Sequence, residues 1–276
     1  MLAKDQSFQP ARLRKTVIEM AYAGSTVHIG CAFSIIEILA VLYRKFLRYP
    51  DNDPRSPSRD YMVLSKGHGV MAQYACMREL GWLDESKHIT GYFSNGSELK
   101  GLSDSRFPGL EVTSGSLGHG FSVGVGLAMG IKRLNTDQKV YVLVGDGELN
   151  EGPIWEGMLV AAHHNLDNFM VIVDQNGFQA MGTTADVLSL GNLKAKFDSF
   201  GFDVIEVDGH DEGEIDNAVK SLWHNTSRKP KAIIANTVKG KGVSFMESNN
   251  RWHYTRLDKH SFDNAIAELS KSGVMQ

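Results

Sequence analysis

The sequence has little that would tie its function to thiols, to a basic surface or to a membrane. Of its 276 residues only two are cysteine and seven are proline. Cys31 and Cys76 stand far apart, without the spacing of a metal site or the density of a disulfide framework. Both are expected as reduced thiols in a soluble, cytoplasmic protein. Lys and Arg number 29 against 32 Asp and Glu, for a net charge of −3, which excludes the basic footprint of a nucleic-acid-binding surface. No apolar run approaches the ~18 residues needed to span a bilayer. The N-terminal stretch MLAKDQSFQP lacks the apolar core of a signal peptide. Internal repeats and low-complexity segments are also missing. What is left is an ordinary globular composition, 42% hydrophobic and 22% charged, in a chain long enough for one large domain or two small ones.

Glycine, at 28 residues, is the unusual presence. Residues 8–23 read as an amphipathic helix with Leu13, Val17, Met20 and Ala21 on one face. The loop STVHIG leads into CAFSIIEILAVLYRKFL, apolar on most of its circumference and so expected as a buried helix. The stretch 49–60 reads as a proline-rich surface loop, YMVL (61–64) as a short strand, and SKGHG as the entry to a helix running to Leu80. Residues 84–111 have no regular pattern. SLGHGFSVGVGLAMGIKRL is helical in pattern despite glycines at 120, 124, 126 and 130, each costing about 1 kcal/mol against alanine. Close packing against a cofactor, a helix or another subunit is the expected compensation. From residue 140 strands (140–144, 169–174, 202–208, 231–238) alternate with helices (152–164, 211–224). That alternation predicts an α/β fold, a central parallel sheet with helices on both faces.

The stretch 140–174 has the length of one βαβ unit, so its two strands run parallel and their polar turns emerge at the same carboxyl edge, where open sheets bind ligands. Those turns are Gly-Asp-Gly at 145–147 and Asp-Gln-Asn-Gly at 174–177. Asp146 and Asn176 are hard oxygen donors suited to Mg²⁺ or Ca²⁺. Neither the lysine of a P-loop nor a G-x-G-x-x-G accompanies them. A bare phosphate would be repelled, whereas one bridged by a divalent cation would be held. Singly, Asp146 reads as a helix cap and Asn176 as a turn residue. Together, at this spacing, they read as a metal pair.

The segment GDGELNEGPIWEG…VDQNGFQAMG resembles the thiamine diphosphate motif. HIG at 28–30, LSKGHG at 64–69, PGLEVTSGSLGHG at 108–120 and TVKGKGVSFMESNNRWH at 237–253 narrow the resemblance to transketolases and extend it over nearly the whole chain. The resemblance implies a single diphosphate-binding domain over 1–276. It implies Mg²⁺ or Ca²⁺ on Asp146, Asn176 and the main-chain oxygen of Phe178, and thiamine diphosphate along Gly147, Gly115 and Leu117. His28, His68 and His253 match the family's active-site histidines around the diphosphate and the sugar, and His68 also falls among the cofactor contacts. Glu151 and Glu156 match acids buried at the family's subunit contact. The remaining histidines, at 88, 119, 163, 164, 210, 224 and 260, lie outside these matches; of them, 88, 210, 224 and 260 read as structural or surface residues, and 163 and 164 as packing or surface ones.

Two departures qualify what the resemblance implies. No residue matches the glutamate that contacts the cofactor's pyrimidine in full-length transketolases. The implied protein is therefore half of a split enzyme, completed by a separate C-terminal subunit in a two-plus-two heterotetramer. The His-Pro pair that precedes PGLEV in full-length relatives is replaced by LKGLSDSRF, and the glutamine of PLGQG by His119. Ser103, Asp104 or His119 are then candidates for serving an altered sugar phosphate. The implied reaction is transfer of a two-carbon ketol unit from a ketose to an aldose. The rival readings are an E1-type 2-oxoacid dehydrogenase subunit, which should lack the KGKG…RWH segment, and a non-catalytic cofactor-binding subunit.

Overall fold

The computed structural model describes residues 7–272, so most of the N-terminal stretch read above as free of a signal core lies outside the described residues. Five strands form one sheet: β1 (Tyr61–Leu64), β2 (Val140–Gly145), β3 (Phe169–Gln175), β4 (Asp203–Asp208) and β5 (Lys231–Asn236). Their order is β1-β2-β3-β5-β4 and every pairing is parallel, as the alternating pattern predicts. The central strands are apolar at nearly every position because both faces are covered. Tyr141, Leu143, Met170, Ile172, Ile233 and Ala235 belong to one buried cluster. Their neighbours Val140, Val142, Val144, Val171, Val173 and Ile234 belong to the other.

Register sets the site. Gly145 pairs with Asp174 and Gln175 with Asn236, so the turns after β2, β3 and β5 leave the sheet at one level. The backbone N–H of Asp146 donates to the carbonyl of Asp174 at 3.1 Å, extending the ladder one residue into the turns.

The apolar stretch 31–47 is buried as expected but is not one helix. It divides into α2 (Ile29–Phe33), α3 (Ile36–Val41) and a wider turn at Leu42–Phe46. The break falls where Ser34 Oγ donates to Asp174 at 2.7 Å, a side-chain bond across 140 residues that hydropathy cannot reveal. Other elements follow their patterns closely: α1 is Pro10–Ala23, α4 Val70–Glu79, α5 His119–Leu134, α6 Gly152–His163 and α9 Glu212–His224. Short helices α7 (Thr184–Leu188) and α8 (Leu193–Ser199), and α10 (Lys259–Ser272), complete the layers. Among the described residues no helix is long and apolar enough to cross a membrane.

The glycines of α5 divide into two kinds. A Cβ on Gly120 would stand 2.6 Å from the Ser65 backbone, and one on Gly124 only 2.3 Å from Val142 Cγ2. These two let the helix lie against β1 and β2. Gly126 and Gly130 face open space beside exposed Val123. Gly120→Ala is therefore expected to destabilise the chain by roughly 1–3 kcal/mol through overpacking. Gly130→Ala should stabilise the isolated chain by up to about 1 kcal/mol. Denaturant unfolding of both variants checks the pair, and equal effects would contradict the packing described.

Candidate active site

A cavity of about 690 Å³ opens at the carboxyl edge of the sheet, within the range of small-molecule sites. His28, His68, Gly115, Leu117, Asp146, Gly147, Asn176, Phe178 and His253 all line it, brought together from separate loops. The nine residues singled out from sequence thus share one space. Of the residues offered for an altered sugar, none lines this cavity. Ser103 is buried with its hydroxyl on the Val112 carbonyl, Asp104 is paired with Arg106, and His119 is exposed with Nδ1 3.2 Å from the Leu117 carbonyl. Leu102 stands in the cavity wall instead, 40% exposed.

His28 occupies a left-handed backbone conformation, φ 69° and ψ 28°, immediately before α2. Such a conformation is uncommon for a residue with a side chain and is tolerated where surrounding contacts hold it. Here the backbone N–H of His28 donates to the His253 carbonyl at 3.2 Å. The rings of His28, His68 and His253 form a triangle with centroids 5.4–5.6 Å apart. His68 sits between Gly67 and Gly69, and those glycines make room for protein rather than ligand. A Cβ on Gly67 would stand 2.2 Å from Ser114 Oγ, and one on Gly69 3.2 Å from the Cys31 carbonyl.

Two lysines, absent from the Gly-Asp-Gly turn itself, reach the cavity from elsewhere. Lys66, of SKGHG, is fully buried and paired with Asp174. Lys239, of KGKG, donates to Asn250 Oδ1 at 2.7 Å and lies 2.8 Å from His253 Nδ1. That nitrogen therefore accepts, which leaves Nε2 of His253 to carry the proton. Lys66 and Lys239 went unmarked in the sequence because they lie 80 and 93 residues from the turn they face; only their place in SKGHG and KGKG signalled them.

The carboxylates have different tasks. Asp146 is 2% exposed and accepts from the N–H groups of Gly147 (2.8 Å) and Gly177 (2.6 Å). Burial, then the nearby Asp174 carboxylate, push its pKa up to about 6 despite those bonds and Lys66. Asn176 donates to Asp174 at 2.9 Å, which fixes the amide so that Oδ1 is its acceptor end. Glu148, also 2% exposed, accepts from Ser65 Oγ and from the N–H groups of Gly118 (2.8 Å) and Gly145 (3.2 Å). It clamps the start of α5 to the end of β2. Glu151 and Glu156, matched above to buried contact acids, are exposed in the single chain. Among the described residues no three His, Cys, Asp or Glu side chains gather as a metal site. An Asp, an amide and a main-chain carbonyl would need oxygens from a bound ligand to complete a cation's shell.

Burial lowers the pKa of all three histidines. Lys239 adds to this for His28, and Lys66 with the other two rings adds for His68, which falls well below its ordinary value. His253 falls to about 3 through burial and the adjoining Lys239. The cluster is neutral at physiological pH, a set of hydrogen-bonding imidazoles rather than cations. The His253 ring is therefore expected to stay unprotonated between about pH 5 and pH 8 in the isolated chain, the window in which an unperturbed histidine titrates. An NMR titration with its midpoint in that window would contradict the arrangement.

Residues 11–271 match the family described as transketolase, thiamine diphosphate binding domain. A subunit of apulose-4-phosphate transketolase from Phocaeicola vulgatus is 37% identical over 98% of this chain and 96% of its own length. The 6-deoxy-6-sulfo-D-fructose transketolase subunit SqwG of Clostridium sp. is 36% identical, with 98% of each chain covered. Among solved structures, transketolase from Leishmania mexicana superposes with a TM-score of 0.89 at 29% identity; the match takes in 98% of this chain but 42% of that one. The chain belongs to the transketolase family, whose members are thiamine diphosphate-dependent transferases, and it carries the family's thiamine diphosphate-binding domain. It spans less than half the length of the full-length enzyme. The 2-oxoacid dehydrogenase reading falls away with this match.

Proposed function

We propose that the chain is the diphosphate-binding subunit of a split transketolase that moves a two-carbon ketol unit from a ketose phosphate to an aldose phosphate. One observation supports this above the others: a hard-oxygen pair, two lysines and three neutral histidines converge on one cavity at the carboxyl edge of the sheet. The residues fit the cofactor. Asp146 is a buried carboxylate whose raised pKa marks a shortage of positive charge, which Mg²⁺ or Ca²⁺ would supply. Asp146, Asn176 and the Phe178 carbonyl would hold the cation. Gly147, Lys66, Lys239 and His68 would face the diphosphate, and Gly115 with Leu117 would face the aminopyrimidine. When bound, thiamine diphosphate supplies the electron sink that two-carbon transfer needs. His28 and His253 would hydrogen-bond the sugar and carry protons, His253 through Nε2.

The partner is proposed to be a separate C-terminal transketolase subunit in a two-plus-two assembly. Relatives of this chain's own length that are named as transketolase subunits support it, as do Met181 (82% exposed) and Leu188 (58% exposed) at the cavity mouth. Glu151, Glu156, Gly126 and Gly130 would lie on surfaces that assembly covers. A sugar different from that of full-length relatives is supported by Leu102 in the wall and by the relatives' names, one of which carries a sugar phosphate and the other a sulfo-sugar. Turnover with the partner separates this reading from a non-catalytic cofactor-binding subunit.

Calorimetric titration of the assembled complex with thiamine diphosphate and Mg²⁺ tests the proposal. Asp146→Ala should weaken metal-dependent binding by more than about 100-fold, since outer-shell changes alone cost 10–100-fold. Unchanged affinity would sink the assignment. The pH dependence has a defined sign. A carboxyl raised to about 6 is protonated below that pH, and the proton competes with the cation. Metal-dependent affinity should therefore be full above about pH 6 and decline as pH falls through it.

A further inference from the structure

Lys239 reaches the cavity from a segment, 237–242, that lies outside helix and strand, so its aim depends on how that backbone is tied down. Thr237 donates its N–H to Gln175 and its hydroxyl to Asp174; Gly240 donates to the Gly30 carbonyl at 3.2 Å. Between them the N–H of Val238 donates to a side chain, Nε2 of His210, at 2.8 Å. A ring nitrogen that accepts carries no proton, so the proton of His210 is on Nδ1. Nδ1 lies 3.0 Å from Glu37 Oε2. Glu37 in turn takes two bonds from Arg14, at 2.7 and 2.9 Å, within a cluster whose side chains are all 10% exposed or less. Burial alone would raise the Glu37 pKa, but Arg14 and His210 hold it at about 2, so it is an ionised acceptor that fixes the imidazole tautomer. Arg14 also meets the far end of the segment: a Cβ on Gly242 would stand 2.8 Å from Arg14 Cδ.

His210 does not line the cavity, and its sequence context, VDGHDEG, reads as structural. We propose that His210 is a positioning residue for the diphosphate site: the relay Arg14–Glu37–His210 holds the Val238 amide and so sets Lys239 against His253 and the bound anion. This rests on the reading of Lys239 as a diphosphate contact, but it has a readout that does not.

The test compares His210→Leu, which removes the acceptor, with His210→Gln, whose side-chain oxygen reaches the place of Nε2 and accepts the same N–H. Hydrogen exchange of the Val238 amide is followed in the cofactor-free full chain, and thiamine diphosphate affinity in the complex with Mg²⁺. The Leu variant is expected to lose protection at 238 and about ten-fold in affinity, the scale of one buried hydrogen bond. The Gln variant should recover most of both. Equal exchange and equal affinity in all three proteins would overturn the proposal, as would a Leu and a Gln variant equally impaired, since a purely structural loss is not rescued by the acceptor. Failure of the wild type to bind cofactor would sink the functional reading, while the exchange rates would still decide the relay.

Discussion

Four segments of the chain meet on the carboxylate of Asp174 at the end of β3. Ser34 donates to it from the break between α2 and α3, Thr237 from the end of β5, Asn176 from the adjoining turn, and Lys66 pairs with it from the SKGHG loop. Asp174 and Lys66 are both essentially inaccessible. Burial alone would raise the carboxyl pKa and lower the ammonium's. Their mutual attraction and the added hydrogen bonds move both the other way, so both stay charged. A buried pair of this kind contributes little net stability, yet loss of either partner strands a charge and costs about 3–5 kcal/mol. Its value lies in fixing geometry. The loops that wall the cavity are placed relative to this one carboxylate.

Glu148 does for α5 what Asp174 does for the strand ends. By accepting from Gly118 and Gly145 at once it joins the first turn of the glycine helix to the end of β2, and Ser65 bridges onward by accepting the Phe121 N–H. The 2.6 Å approach at Gly120 is the steric counterpart of that clamp. Two glutamates downstream remain on the surface, so the acids in GDGELNEGPIWEG have three different settings: a buried carboxylate at the cavity, a clamp and an exposed face.

The parallel sheet and the shared cavity were legible because both follow from local pattern. Period and length mark β2 and β3, and the right-handed crossover then forces Asp146 and Asn176 to one edge. The glycines beside His28 and His68 set those two apart from His88 in the sequence itself, whereas His253 and the GSLG turn were legible only through resemblance. The break at Ser34, the lysine pairings and the relay through His210 were not legible. Each depends on a side chain meeting a partner far along the chain, 28 residues away for His210 and over 100 for Ser34 and Lys66. The helix at 259–272 differs. Phe262, Ala265, Ile266 and Leu269 have helical spacing, and Asp258 accepts from the Ser261 N–H at its start. That signal is local, so the helix was open to a reading from pattern alone.

The charge balance of the cavity bears on how it would fill. Lys66 is committed to Asp174, while among the described residues Lys239 has no ion pair and Asp146 has no cation of its own. The three histidines add no charge. A phosphate entering alone meets the Asp146 carboxylate, and a divalent cation entering alone meets the Lys239 ammonium. Each ligand would remove the other's repulsion, so on the proposed reading cation and diphosphate bind as a coupled pair, each raising the other's affinity by the same factor. The same coupling acts on the imidazoles. Burial is the main cause that depresses His28 and His253, so a diphosphate beside Lys239 would offset only the smaller part that the ammonium adds.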